Sequence, residues 1–323
     1  MKQIGLLIPY QYKLLSVAAI IDVLETVNKF YEKSGQPAPF NITLLHDSPV
    51  LKDSPDINFG YPKQLIRKNS SFDLLLIPAF TTEDMNNTIK ENGAYIPWLQ
   101  NQFGTGTQIA SFCTGAFLLA ATGLLDGKTA TTHVDACKIF SFLFPAVNLR
   151  ADKTVTQDGR LLTSGGATST FHLLLHIVKT YCGNEIAVKT AKIFAIDMGR
   201  DNQSYFSTFR PSRNHNDELV ASAQEKIETS YHNTGTIEEM IRDIPASRRN
   251  IVRRFKQVTG ITPIEYLQHT RIEAAKKMLE QTGHQMIEVI LRSGYNDPKS
   301  FRKVFRKTVG MTPSEYRDKF HVN

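Results

Sequence analysis

The chain has 323 residues, 41% hydrophobic and 21% charged, with a net charge of +7; the length suits about two domains, and the composition excludes disordered, collagen-like and coiled-coil classes. The longest apolar run, Leu14–Ile21, contains Ser16 and falls well short of the ~18–20 residues that cross a bilayer. Pro9 and Lys13 interrupt any signal-peptide core, so a mature cytoplasmic N-terminus is expected; the scattered Cys113, Cys137 and Cys182 form no CxxC pair and suit a reducing compartment.

In chain order, Gln3–Ile8, Ile42–Leu45, Leu74–Pro78 and Gln108–Phe112 are short apolar runs of the kind that fill buried parallel strands. Between them Leu14–Lys33, Asn86–Asn101 and Gly115–Thr122 read as helices. Thr154–Gln157 and Leu161–Thr163 flank Asp158-Gly159, a hairpin signal because glycine tolerates positive φ. Thr168–Tyr181 and Glu185–Ile196 are again helical. These segments predict an α/β domain over residues 1–200. Asp201–Asn216 is polar, carries Pro211 and lacks apolar periodicity, so it is expected to be a linker. Residues 217–323 read as all-helical.

The charge is uneven. Residues 1–200 hold 18 Lys+Arg against 16 Asp+Glu, and residues 201–323 hold 20 against 15. Two acid-free blocks carry the excess: Ser247–Gly260, with Arg248, Arg249, Arg253, Arg254 and Lys256, and Pro298–Gly310, with Lys299, Arg302, Lys303, Arg306 and Lys307. A solvated surface mixes both signs, so such blocks point to a polyanion. They also lie in an internal repeat. Phe255-Lys256, Gly260, Thr262-Pro263 and Glu265-Tyr266 recur 50 residues later as Phe305-Arg306, Gly310, Thr312-Pro313 and Glu315-Tyr316; Met240-Ile241 recurs as Val289-Ile290 after 49.

Each repeat reads as a short helix, a tight turn and a basic second helix, a helix-turn-helix whose second helix enters the DNA major groove. Ile264–Thr282, with Arg271, Ile272, Ala275, Met278 and Leu279 at helical spacing, joins the two. Ile251, Phe255 and Val258, and equivalently Phe301, Phe305 and Thr308, are expected to face the core. The opposite faces then carry Arg249, Val252 and Arg253, and Lys299, Arg302 and Lys303. Arg and Lys bond guanine edges and Val contacts a thymine methyl. Arg248, Arg254, Lys256, Arg306 and Lys307 are expected on phosphates, and Asn250 and Ser300 complete the DNA-contact set. On these residues Ile237–Phe320 resembles the AraC/XylS family DNA-binding domain. The resemblance implies two helix-turn-helix units in successive major grooves on one face of DNA. It departs from the family pattern at Ile241 and Ile290, where a small residue is usual, and at Pro245, where the first turn usually has glycine.

In the first half, Ile109-Ala110-Ser111-Phe112-Cys113-Thr114-Gly115-Ala116 is an apolar strand running into a tight turn and a small-residue helix start. A cysteine there sits at a helix N-terminus, where the dipole is expected to make its thiol more acidic, and His133 downstream could pair with it as a base. Together with Gly123-Leu124-Leu125-Asp126-Gly127, Thr131-Thr132-His133 and Thr163-Ser164-Gly165-Gly166, this segment resembles the PfpI/ThiJ (class I glutamine amidotransferase-like) superfamily over residues 1–200. That resemblance implies a flavodoxin-like α/β sandwich, here fused to the all-α double helix-turn-helix domain as in the GlxA-like group of regulators. It also implies a ligand site at Cys113, Thr114, His133, Gly165 and Gly166. Enzymatic relatives such as isocyanide hydratase carry an acid in a Leu-Asp-x-x-Gly-Pro run; this chain has Leu15-Ser16-Val17-Ala18-Ala19-Ile20, so Ser16 stands for the acid and Ala19-Ile20 for the Gly-Pro. Cys113, His133 and Ser16 are therefore expected to be vestiges of catalysis.

His172 and His176, four apart on one helix face, have metal-ligand spacing but lack an HExxH pattern or a third ligand, so they and Trp98 are expected to be structural. The expectation is a cytoplasmic transcription regulator with no cofactor and no metal. Its expected partners are double-stranded DNA, a small-molecule effector, a second copy of the chain and, if it activates, RNA polymerase, with no membrane. The alternative is a cysteine-dependent hydrolase or hydratase with an accessory DNA-binding domain; an acid at position 16 is what would favour it.

Overall fold

The computed structural model describes residues 1–47, 60–66, 71–166, 168–209, 211, 213 and 215–321. It divides into two compact units, Met1–Gln203 and Ser204–Asn323. In the first, β1 (Lys2–Leu7), α1 (Leu14–Lys33), β2 (Phe40–His46), β3 (Lys63–Leu65) and β4 (Leu74–Ile77) are followed by α2 (Met85–Glu91), α3 (Tyr95–Gly104), β5 (Gln108–Phe112) and α4 (Gly115–Ala121). Then come β6 (Thr129–Ala130), α5 (Cys137–Leu143), β7 (Asn148–Leu149), β8 (Val155–Asp158), β9 (Leu161–Ser164), α6 (Ser169–Cys182) and α7 (Asn184–Ile193).

The main sheet runs β3-β2-β1-β4-β5-β9-β8, and only β8 is antiparallel to its neighbour. Its core order is that of a doubly wound flavodoxin-like sheet, with the reversal between β1 and β4. Alternate side chains feed two cores. Ile4, Leu6, Leu74, Leu76, Ala110 and Phe112 join α1 and α6 on one face; Leu7, Leu75, Ile77 and Ile109 join α3 and α4 on the other. Burial on both faces explains why these strands are mostly apolar.

The single helix expected over Asn86–Asn101 is two helices. Asn92 ends α2, and its buried side chain accepts from the Tyr10 amide at 2.7 Å and donates to the Thr88 carbonyl at 2.9 Å. The strand expected just before His133 is β6, two residues long; the two-residue strand β7 and the short helix α5 lie outside the expected elements and are too short to show periodicity.

The second unit begins with a 3-10 turn, Ser204–Phe206, and continues with α8 (Glu218–Ser230), α9 (Ile237–Met240), α10 (Arg248–Thr259), α11 (Pro263–Gln281), α12 (Met286–Arg292), α13 (Pro298–Val309) and α14 (Pro313–Phe320). Within the stretch expected as a linker, Gln203 is buried in the first unit, Tyr205 is buried in one core of the second, and Phe209 stacks on His269 at 4.9 Å. The aromatic residues of this stretch find partners far along the chain, which local polarity did not reveal.

The repeated G-x-T-P-x-E-Y is a punctuation mark written twice. Gly260 and Gly310 end α10 and α13 in the left-handed conformation, with φ of 80° and 86°. Thr262 and Thr312 then cap the next helix, Pro263 and Pro313 start it, and Glu265 and Glu315 close capping boxes. Tyr266 and Tyr316 are buried, and their hydroxyls donate to Glu228 and, at 2.5 Å, to Glu280.

Two cores lie along α11: Ile251, Phe255, Tyr266 and Leu267 in one, Ile272, Ala275, Leu279, Phe301 and Phe305 in the other. The third inward position of each basic helix is one residue later than expected. Thr259 and Val309 are buried, whereas Val258 and Thr308 are half-buried, so the buried stripe of each basic helix runs i, i+4, i+8.

Candidate functional site

The basic helices α10 and α13 are started by side-chain caps. Ser247 accepts from the Asn250 amide at 3.3 Å, and Asp297 accepts from the amides of Lys299 and Ser300 at 3.1 and 2.9 Å. With Phe255, Phe301 and Phe305 fully buried, the helices turn Arg249, Arg253 and Lys256, and Lys299, Arg302, Lys303, Arg306 and Lys307, to solvent. The turns before them differ. At Gly294 φ is +87°, and an added Cβ would lie 2.1 Å from the Tyr231 carbonyl oxygen; the first unit has Pro245 at the corresponding place, and α9 stops after four residues.

Equal on paper, the two sets of cations are used differently. Arg254, expected on phosphate, is half-buried and donates to Asp217 at 2.8 Å, which ties α10 to the N-cap of α8. This withdraws Arg254 from the DNA-contact set. Arg248 reaches Glu238 at 2.6 Å across the surface, and Arg253 donates to Asn250 at 3.4 Å. Among the described residues none of the five cations of α13 is ion-paired. Arg302, Lys303, Arg306 and Lys307 line a cleft of about 780 Å³ together with Met286, Thr312, Pro313 and Ser314 at the start of α14.

In the first unit, hydrogen bonds tie together the carboxyl ends of the strands. Lys13 donates its amide to the Ala79 carbonyl at 2.7 Å, and the buried Ser16 hydroxyl accepts the Ala79 amide at 3.0 Å. Thr114 clamps Phe80, accepting from its amide at 2.9 Å and donating to its carbonyl at 2.7 Å. Between Ser16 and Thr114 the turn after β4 is fixed beside Cys113. Gly115 is required there, since a Cβ would stand 2.6 Å from the carbonyl oxygens of both Ile77 and Pro78. Cys113 has φ of 55°, an uncommon conformation for a side-chain-bearing residue and one that stores strain at an elbow.

The chemistry of that elbow differs from expectation. Cys113 is only 1% exposed, and burial pushes its thiol up, against the opposing pull of Lys13 and Thr114. The acidic thiol expected from the helix-start position is therefore corrected. His133 accepts the Asp135 amide on Nδ1 at 3.2 Å, which places its proton on Nε2 when neutral, and burial keeps it neutral more than an exposed histidine, with Asp135 opposing and Lys13 assisting. Its ring lies against Gly166, where a Cβ would be 3.3 Å from Nε2. Thr132 donates to the Cys113 carbonyl at 2.9 Å, joining the histidine segment to the elbow.

Gln203, unnoticed in the sequence, is the hub of this end of the sheet. Its Oε1 accepts the Gly166 amide at 3.0 Å, while Nε2 lies 3.0–3.1 Å from Thr131 Oγ1, Thr132 O and Ala151 O. A Cβ on Gly165 would sit 2.0 Å from Gln203 Oε1. Lys13 was likewise missed as a site residue; it acts on both Cys113 and His133, and nothing local signals that. At the reversal point between β1 and β4 a second cleft, about 580 Å³, is lined by Gln11, Tyr12, Thr81, Thr82, Asp84 and Asn87, among others. His172 bonds the Asp197 carbonyl at 3.0 Å and His176 bonds Gln157 at 2.8 Å, so both have protein partners. Trp98 packs edge-on to Phe72.

Comparison with known proteins matches residues 22–180 to the DJ-1/PfpI family and residues 241–319 to a helix-turn-helix domain family. The chain joins a DJ-1/PfpI domain to an AraC-type helix-turn-helix domain. The HTH-type transcriptional regulator CdhR of Pseudomonas aeruginosa is 27% identical over 226 residues, 69% of this chain and 67% of its own. The HTH-type transcriptional regulator GbdR of the same species is 26% identical over 231 residues, 69% of this chain and 61% of its own. The chain thus spans about two thirds of the length of each. The HTH-type transcriptional regulator GlxA of Rhizobium meliloti is 22% identical over 319 residues, 98% of this chain and 95% of its own. No helix among the described residues is long and apolar enough to cross a membrane.

Proposed function

We propose that this protein is a sequence-specific DNA-binding transcriptional regulator whose DJ-1/PfpI domain senses a small molecule without turning it over. The observation that carries the DNA-binding reading is the duplication of a capped basic helix, α10 and α13, each with a buried phenylalanine stripe and an outward face of cations. Arg249, Val252 and Arg253, and Lys299, Arg302 and Lys303, are the base readers; Arg248, Asn250, Lys256, Ser300, Arg306 and Lys307 position the backbone. Regulators among the relatives support the same reading.

The non-catalytic reading rests on the elbow. Burial disfavours the thiolate of Cys113, Ser16 offers only a hydroxyl already bonded to Ala79, and His133 presents an Nε2 donor rather than a free base. The effector site is Cys113, Thr114, His133, Gly165 and Gly166, extended by Lys13. Coupling runs through the chain itself. Gln203 is bonded within the DJ-1/PfpI domain, Tyr205 is buried in the helix-turn-helix unit, and one residue separates them. An effector that displaces Gln203 alters how that segment is held, and ~1–3 kcal/mol of coupling is typical of such linkage. The working form is a homodimer formed through the DJ-1/PfpI domain in the cytoplasm, with RNA polymerase as the further partner if it activates.

The test is selection of genomic fragments by the full chain, followed by mobility shift. Arg302→Ala and Lys303→Ala should each weaken the selected site by ~1–3 kcal/mol and relax preference in one half only. Equal affinity for all fragments would refute sequence-specific regulation. Steady turnover of an isocyanide, amide or aldehyde that vanishes in Cys113→Ala would refute the non-catalytic reading.

A further inference from the structure

The sequence assigns each basic helix five cations and no acid, so the two heads look equivalent. The structure breaks that equality. In α10, Arg254 is held by Asp217 and Arg248 by Glu238, which among the described residues leaves Arg249, Arg253 and Lys256 without a carboxylate partner. In α13 all five stay available, and four of them line the 780 Å³ cleft that opens toward Thr312 and Ser314. Under the 50-residue offset the counterparts of Arg302, Lys303, Arg306 and Lys307 are Val252, Arg253, Lys256 and Gln257. The first head has two cations where the second has four. Ser314, which can bond a phosphate oxygen, is matched by Ile264, an apolar side chain 46% exposed.

We propose that the cleft between α13 and the start of α14 seats the sugar–phosphate backbone, so that the second head supplies most of the charge-driven affinity. The first head contributes mainly apolar and base-edge contacts. This rests on the DNA-binding reading and deepens it. On DNA that offers no matching base edges, the base readers Arg302 and Lys303 rest on phosphates beside Arg306 and Lys307, and four cations spread along one helix match a run of phosphates rather than a single anion. Each phosphate neutralised releases counterions, so affinity falls with salt in proportion to the contacts made. The salt slope therefore counts the contacts of each head. A consequence is that non-specific binding and sliding are carried mainly by the second head.

The experiment measures the affinity of the full chain for a labelled random-sequence 30-base-pair duplex by fluorescence anisotropy, from low to moderate salt. Replacing Arg302, Lys303, Arg306 and Lys307 together with glutamine should flatten the log–log slope by about 3.6, at about 0.9 per contact. Replacing Arg253 and Lys256 should flatten it by no more than about 1.8. All six side chains are on exposed faces, and thermal melts verify that the variants fold. The converse variant, Val252→Arg with Gln257→Lys, installs the missing cations and should steepen the slope by up to about 1.8. Equal losses from the two heads, or an unchanged slope in the converse variant, overturns the inequality while leaving DNA binding intact. No salt-sensitive binding by the unaltered chain overturns both.

Discussion

Removing the Gln203 side chain should reveal how tightly it holds the carboxyl end of the sheet. The side chain is 1% exposed, and its amide meets one donor, the Gly166 N–H, and three acceptors. Gln203→Ala leaves these groups facing a polar hole that water can enter, so the cost is about 2–3 kcal/mol, within the range for unsatisfied buried groups. Gly165→Ala is costly for a different reason. Its methyl would stand 2.0 Å from Gln203 Oε1 and 2.5 Å from Cδ, an overlap that no small shift removes; overpacking of this kind costs about 1–3 kcal/mol. In the double variant the methyl enters vacated space. The two changes should therefore be sub-additive by at least about 1 kcal/mol, as for residues in direct contact. Urea unfolding followed by Trp98, the chain's only tryptophan and a buried residue of the DJ-1/PfpI unit, reads this directly. Additivity within ~0.5 kcal/mol would mean that Gln203 does not fill the space before Gly165.

Gly115→Ala should destabilise the same unit by about 1–3 kcal/mol, because the methyl meets two backbone carbonyls rather than a yielding side chain; a neutral result in urea unfolding would contradict the close approach. Burial raises the Cys113 thiol, so stability from that group is complete below the ordinary thiol range and is lost as pH rises through the folded value. Ultraviolet titration of the native chain against Cys113→Ala should find no Cys113 thiolate below pH ~8.5, and a thiolate near neutrality would refute the assignment. Glu265 and Glu315 have depressed pKa values, first because they accept the backbone amides of Thr262 and Thr312. Their contribution is present above the usual carboxylate range and is lost as pH falls through the depressed values. Acid unfolding of the helix-turn-helix unit should be less pH-dependent in Glu265→Gln with Glu315→Gln, and an unaltered pH profile would argue against the capping boxes.

The strand Leu74–Ile77 was legible because, buried on both faces, it has no polar residue to disguise it. The helix-turn-helix pair was legible because its punctuation is local: a left-handed glycine, a capping threonine and a proline within four positions. What escaped reading depends on distant partners. Asn92 breaks a helix by bonding Tyr10, 82 residues away, and Gln203 fits against Gly165 across the end of β9. Arg254 and Lys307 are both cations on basic helices, yet only the first meets a carboxylate, 37 residues upstream. Cys113 shows the same limit in reverse. Its place at a helix start was visible, whereas the depth of burial that reverses the expected acidity belongs to the assembled sheet.

The most direct measurement is hydroxyl-radical footprinting of the full chain on a fragment that it selects from genomic DNA. Two basic helices in successive major grooves should protect two patches whose centres lie about one helical turn, ~34 Å, apart on one face of the duplex. Gln substitutions at Arg302, Lys303, Arg306 and Lys307 should erase one patch and weaken the other. A single patch that survives those substitutions, or no protection at all, would contradict a two-headed DNA-binding regulator.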